Sequence, residues 1–286
     1  MSFRNPSVFG ICGNLLLVLL VYGIYEKIRH SHSVHRGFFC DDQTLKYPYI
    51  EEYVSWRVVK LWGYIVPAII ILIGDAFVPI HPHKTFLQRL LNAGNVYLVF
   101  LFGMYSTQLI YEWIKKNVAR PRPHFFDVCQ PVYDEKACFR GEYIWDFTCA
   151  GNAELFSDMA ERLDKVEEVQ ESFVSGHTTF SFSIATFLLI YLNSRLMWKR
   201  VPASNLALML VQIGIICTAL FFSITRLVDH HHHASDIVAG SVIGTLIQLY
   251  VAYMSNAYLA PNYDEIFEEE QTPLIRSQPP SYSSLP

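Results

Sequence analysis

Six apolar stretches, at about 8–25, 58–80, 94–114, 178–193, 206–224 and 237–257, constrain this 286-residue chain more than any other feature. Crossing the hydrocarbon core of a bilayer takes roughly 20 mostly apolar residues. Lipid offers no water to backbone N–H and C=O groups, so each crossing segment must be helical. The pattern predicts an all-α membrane protein with six transmembrane helices over 1–257. The fourth stretch is the shortest and leans on its polar start, Ser175 to Ser183. Of all residues 52% are hydrophobic, and the excess sits in these blocks rather than being spread along the chain. The formal net charge of −4 argues against a nucleic-acid partner. Tyr25-Glu26-Lys27 follows the first block where a cleaved leader would carry small residues, so that block reads as a retained span.

Six spans place both termini on one side. Lysine and arginine counts in the loops give only a weak orientation bias. Cysteines vote more clearly: Cys12 and Cys217 lie inside spans, whereas Cys40, Cys129, Cys138 and Cys149 all fall in loops opposite the termini. That fits disulfides in an extracellular or lumenal compartment, with three pairings open. Both termini are then expected to be cytosolic. No Asn-x-Ser/Thr site with x other than Pro occurs, so glycosylation is not predicted.

Three polar clusters sit at span ends. The first holds Lys115, Arg120, Arg122, Pro123 and His124. Lys115 and Arg122 are seven residues apart, about two helical turns, and can face one way. Taken alone this is an ordinary basic membrane flank. The second is Ser175-Gly176-His177, opening the fourth span, where first-turn N–H groups attract phosphate. The third runs from Arg226 through His230-His231-His232-His233 to Asp236. His232 and Asp236, four apart at a helix start, share a face. A carboxylate bonded to one ring nitrogen fixes the tautomer and leaves the other nitrogen free to attack. A metal site is the rival reading of the histidine run. Alternation of spans brings all three clusters to one membrane face, which is also the cysteine face.

Phosphoryl transfer asks mainly for positioning and charge stabilisation. Lys115, Arg122 and Arg226, with Ser175 and Gly176 at the helix start, are candidates to hold a phosphate. His232 is the candidate nucleophile, backed by Asp236, and His177 the candidate acid and then base. His232 must be neutral and His177 charged, which predicts a bell-shaped pH profile. No metal or other cofactor is expected.

At these residues the sequence resembles the type 2 phosphatidic acid phosphatase superfamily, whose signature is K-x6-R-P, P-S-G-H and S-R-x5-H-x3-D. Lys115 to Pro123 fits the first part. Ser175-Gly176-His177 fits the second, with Val174 in place of Pro, and Arg226, His232 and Asp236 fit the third, with Thr225 in place of Ser. Arg36 to Cys40, Lys46 to Tyr49, Arg122 to Cys129, Gly151 to Ala153 and Ser172-Phe173 are similar to the animal lipid phosphate phosphatases, a likeness spanning roughly 30–255. The resemblance implies a phosphatidic acid phosphatase/haloperoxidase-like bundle, a site facing outside or the lumen, and homo-oligomers. It implies Mg²⁺-independent dephosphorylation of phosphatidate, lysophosphatidate, sphingosine 1-phosphate or ceramide 1-phosphate. The alternatives are a phosphate-binding lipid transporter or scramblase without hydrolysis, a metal hydrolase, and phosphocholine transfer between lipids.

Three features stand apart. Asp75 lies in the second span, where charge is paired or functional. Residues about 152–170 have helical apolar spacing and should pack over the site face. Residues 258–286 form an acidic, Pro-rich tail expected to be disordered and cytosolic. Tyr263 to Ile266 and Glu270 to Leu274-Ile275 fit sorting-adaptor motifs, and Pro279-Pro280-Ser281-Tyr282 fits a WW-domain ligand. They point to the plasma membrane, the endosomal-lysosomal membranes, or both.

Overall fold

A computed structural model describes residues 8–77, 85–196 and 202–255. The tail and its signals at Tyr263, Leu274, Ile275, Pro279, Pro280 and Tyr282 lie outside the described residues. The helices in chain order are α1 (Val8–Arg29), α2 (Trp56–Leu72, continued by a π turn, Ile73–Phe77), α3 (Phe86–Val118), α4 (Phe125–Cys129), α5 (Glu135–Phe139), α6 (Met159–Glu168), α7 (Gly176–Leu196), α8 (Pro202–Val228) and α9 (Ala234–Met254). Five of the six long helices, α1, α2, α3, α8 and α9, are long and apolar enough to cross a membrane.

The sixth, α7, is long enough at 21 residues, about 30 Å, but less apolar. It packs against α9, α8, α3 and α2, while α1 packs on α3. The centre of the bundle lets α7 carry Thr178, Thr179, Ser181 and Ser183 fully buried. Their hydroxyls are satisfied within the helix or across it. Thr179 donates to the Ser175 carbonyl at 2.8 Å and Ser181 to the His177 carbonyl at 2.6 Å, while Ser183 donates to Gln248 Oε1 at 3.2 Å. Such back-bonding keeps polar side chains tolerable where no water reaches. Gly240 and Gly244 let α9 close on α7: a Cβ at Gly240 would lie 2.8 Å from Thr179 Oγ1, and one at Gly244 would collide with the Thr179 carbonyl.

Asp75 and Arg195 form a buried ion pair at 3.0 Å, at the bundle end away from the starts of α2 and α7. Tyr191 and Asn92 also donate to Asp75, at 2.9 and 2.7 Å. The charge in the second span is thus a structural tie between helices.

Loops at the other end build a cap. Two short antiparallel ladders, β1 (Phe38–Phe39) with β3 (Tyr143–Ile144) and β2 (Pro131–Val132) with β4 (Thr148–Cys149), each adjoin a disulfide. The pairings are Cys40–Cys138 and Cys129–Cys149. Phe38, Phe125, Val128, Ile144, Phe147 and Phe156 form a second apolar core beneath them. The helix expected near 152–170 is α6, started by Asp158, whose carboxylate accepts from the Glu161 N–H at 2.9 Å.

Candidate active site

Three chain reversals bring the polar clusters to the cap end of the bundle. α3 ends at Ala119, in the left-handed region with φ 45°, and Pro121 and Pro123 forbid continuation. The segment that follows is stitched to the loop entering α7: Arg122 N–H donates to the Val169 carbonyl at 2.8 Å and Ser172 N–H to the Arg120 carbonyl at 2.7 Å. α8 ends the same way. His230 has φ 55°, and the N–H groups of His231 and His232 both return to the Arg226 carbonyl at 3.1 Å. α9 then starts at once, with Asp236 accepting the His233 N–H at 2.9 Å.

A cavity of about 830 Å³ opens where these reversals meet. Lys115, Arg122, Gly176, His177 and His232 all line it. Arg226, Lys115, Arg122 and the His232 ring all act electrostatically on His177. His177 leans on the Trp56 ring, with centroids 4.9 Å apart, and its buried Nε2 has no hydrogen-bond partner. A buried imidazole nitrogen without a partner is unfavourable unless a ligand group meets it. Gly176 opens α7, whose first-turn N–H groups have no intrahelical acceptor.

Three expected residues do not line the cavity. Ser175 is fully buried, and its hydroxyl oxygen accepts the Thr178 N–H at 3.5 Å, so it caps α7. Arg226 is fully buried and makes four hydrogen bonds, to Glu52 (2.9 Å), Asp229 (2.9 Å), the Val54 carbonyl (3.1 Å) and Thr225 (3.3 Å). Its partner Glu52 lines the cavity, whereas Arg226 does not. Asp236 is fully buried one layer back.

The expected His232–Asp236 bond takes a different form. His232 Nδ1 lies 3.8 Å from Asp236 Oδ2, beyond hydrogen-bond length. Its bond goes instead to the backbone carbonyl of Ser172, at 2.7 Å. A carbonyl only accepts, so Nδ1 carries the proton and Nε2 the lone pair. Asp236 meanwhile accepts from the Ser172 hydroxyl at 2.5 Å and from Arg120 at 2.7 Å. Spacing along a helix showed which residues share a face, but not that an acceptor from a loop distant in sequence would intervene.

Glu52, Glu167, Glu168 and Glu171 also line the cavity and lie outside the three clusters. Glu168, on α6, pairs with Arg122 at 3.0 Å and with Lys165 at 2.9 Å. Lys116 is buried between Glu167 and Glu171, at 3.2 and 2.8 Å, fastening α6 over the cavity. Glu52, Glu168 and His231 come close enough together to suggest a cation site, with ligand atoms within 4.8 Å of one another. The chemistry argues otherwise. His231 Nδ1 accepts from Arg122 at 3.0 Å, so its Nε2 carries the proton donated to the Ile50 carbonyl at 3.0 Å, and no lone pair is left for a metal. The two carboxylates already neutralise Arg122 and Arg226.

Burial pushes the His232 ring down to about 3, helped by the Arg122 and Lys115 charges and opposed by Asp236. Burial and Arg122 likewise push His124 to about 3 and His231 to about 2. Burial alone would raise the Glu168 carboxyl, but Arg122 and Lys165 hold it below its ordinary range. Unfolded histidines titrate near 6.5, so below that pH the unfolded chain binds more protons. Stability is therefore full above about pH 6.5 and falls as the solution is acidified towards 3. The slope is roughly 1.4 kcal/mol per pH unit for each histidine inside that window. Melting in detergent is expected to drop steadily from pH 7 to pH 5, and a flat profile would contradict the buried neutral assignment.

A family model described as the PAP2 superfamily matches residues 96–259. The chain is 31% identical to a putative phosphatidate phosphatase of Drosophila melanogaster, over 90% of this chain and 72% of that protein. It is 31% identical to phospholipid phosphatase 1 of Mus musculus, over 90% of this chain and 87% of that protein. Phospholipid phosphatase 2 of Bos taurus is also 31% identical, over 82% of this chain and 78% of that protein.

Proposed function

The chain belongs to the PAP2 superfamily, and from that premise we propose that it is a multi-pass membrane phosphatase cleaving lipid phosphate monoesters through a phosphohistidine at His232. One observation carries the mechanism: the Ser172 carbonyl holds the Nδ1 proton of His232, leaving the Nε2 lone pair for a cavity shared with Lys115, Arg122 and His177. The Nε2 lone pair attacks phosphorus, the P–O bond to the lipid breaks, and His177 gives its proton to the leaving alkoxide. Water then attacks phosphorus, its proton passes to His177, and the N–P bond breaks. Lys115, Arg122 and the first-turn N–H groups at Gly176 stabilise the charge on the transferring group. Arg226, paired with Glu52, lies outside the cavity lining. Phosphatidate, lysophosphatidate, sphingosine 1-phosphate and ceramide 1-phosphate are the substrate candidates.

Two disulfides in the cap support placing the site on an extracellular or lumenal face, with both termini in the cytosol. A carrier that only bound phosphate would need the cations but no aligned imidazole. Phosphate release from a panel of these lipids in detergent, with EDTA present, tests the reading. Release at full rate in EDTA is expected. Loss of release on chelation favours the metal hydrolase, and absence of release from every lipid favours the carrier.

Glu168 pairs with Arg122, a guanidinium that an entering phosphate also needs. Glu168→Gln removes that competition and is expected to tighten inhibition by inorganic phosphate about tenfold, near 1.4 kcal/mol. An unchanged inhibition constant would show that phosphate does not contest this guanidinium.

A further inference from the structure

We infer that Arg120 and the Ser172 hydroxyl are positioning residues that pass the influence of Asp236 to the nucleophilic nitrogen of His232. The inference rests on the reading of His232 as nucleophile. Asp236 is fully buried and is held on both oxygens. Arg120 donates to Oδ1 at 2.7 Å, while Oδ2 accepts the Ser172 hydroxyl at 2.5 Å and the His233 N–H at 2.9 Å. The same Arg120 nitrogen also donates to Ser235 Oγ at 2.7 Å, fixing the guanidinium against the start of α9. Ser172 is pinned at three points. Its N–H donates to the Arg120 carbonyl at 2.7 Å, its hydroxyl to Asp236, and its carbonyl accepts His232 Nδ1 at 2.7 Å.

The carboxylate therefore aligns the imidazole through one serine, not by direct contact. Phosphorylation at Nε2 with the proton kept on Nδ1 leaves the ring cationic. The Ser172 carbonyl dipole meets that charge first, and Asp236 meets it at 3.8 Å. Arg120 holds Oδ1 of Asp236, so the carboxylate stays turned with Oδ2 towards Ser172. Outer partners of this kind commonly matter by about 10- to 100-fold.

The test compares kcat and KM for Ser172→Ala, Arg120→Ala and Arg120→Lys, using lysophosphatidate in detergent. Ser172→Ala and Arg120→Ala are expected to lose about 10- to 100-fold in kcat with KM within about twofold. Arg120→Lys should recover most of the loss, since one cationic donor to Asp236 is restored. Adding Ser172→Ala to Asp236→Asn should cost little more than Asp236→Asn alone, because both act through one path. Fully additive losses, or kcat unchanged in Ser172→Ala, would overturn the relay. Arg120 is partly exposed, so its variants read the same path even if Ser172→Ala folds poorly. His232→Ala in the same assay separates the two claims: if it still turns over, the nucleophile reading fails, and if it is silent while Ser172→Ala is normal, only the relay fails.

Discussion

Replacing His232 with Ala is expected to lower phosphate release by at least about a thousandfold while the protein stays folded and phosphate still binds. The expectation follows from the division of labour in the cavity. In the proposed mechanism Lys115, Arg122 and the first-turn N–H groups of α7 hold the phosphate, and His232 alone attacks it. Truncating the imidazole deletes a side chain whose one hydrogen bond runs to a backbone carbonyl, so little structure depends on it. Competitive inhibition of the wild type by inorganic phosphate should persist as phosphate binding to the variant. A loss of only a few-fold would mean that another group attacks phosphorus, with His177 the next candidate on the wall.

The second large effect concerns stability. Cys40–Cys138 closes a loop of 98 residues and Cys129–Cys149 one of 20. Restricting the unfolded chain over loops of those lengths is worth up to about 5 and about 3 kcal/mol, respectively. The longer one ties the strand after α1 to the α5 segment, across the whole of α2 and α3. Cys40→Ser is therefore expected to destabilise more than Cys129→Ser, read as the midpoint of unfolding in non-reducing detergent. Both variants should loosen the cap, because each disulfide adjoins a two-residue ladder too short to hold alone. Equal midpoints for wild type and Cys40→Ser would show that this bond contributes nothing to the fold.

Much of this molecule is legible in its sequence, for physical reasons that also mark where legibility ends. Apolar length marked all six long helices, because lipid imposes it on every crossing segment. It drew α7 shorter than Gly176–Leu196, because the buried Thr178, Thr179, Ser181 and Ser183 interrupt the apolar run. It also shortened α3, a 33-residue helix whose ends carry polar residues and reach beyond the apolar stretch to deliver Lys115. Alternating topology sufficed to bring Lys115, Arg122, His177 and His232 to one cavity. Partner choice within that cavity was hidden. Nothing local says that His232 bonds the carbonyl of Ser172, 60 residues away, or that Glu52 reaches Arg226 across 174. Those contacts depend on how the cap folds back, and the cap is fixed by disulfides whose pairing sequence leaves open.

A covalent bond between phosphorus and one ring nitrogen of His232 is the centre of the proposed chemistry. Millisecond mixing of the purified protein with ³²P-labelled lysophosphatidate in EDTA, quenched in alkali, would capture it. A label on His232 that survives base, is released by acid and approaches one per chain is the predicted result. Phosphate released at the full rate with no label at any point, or a label on a different residue, would contradict it.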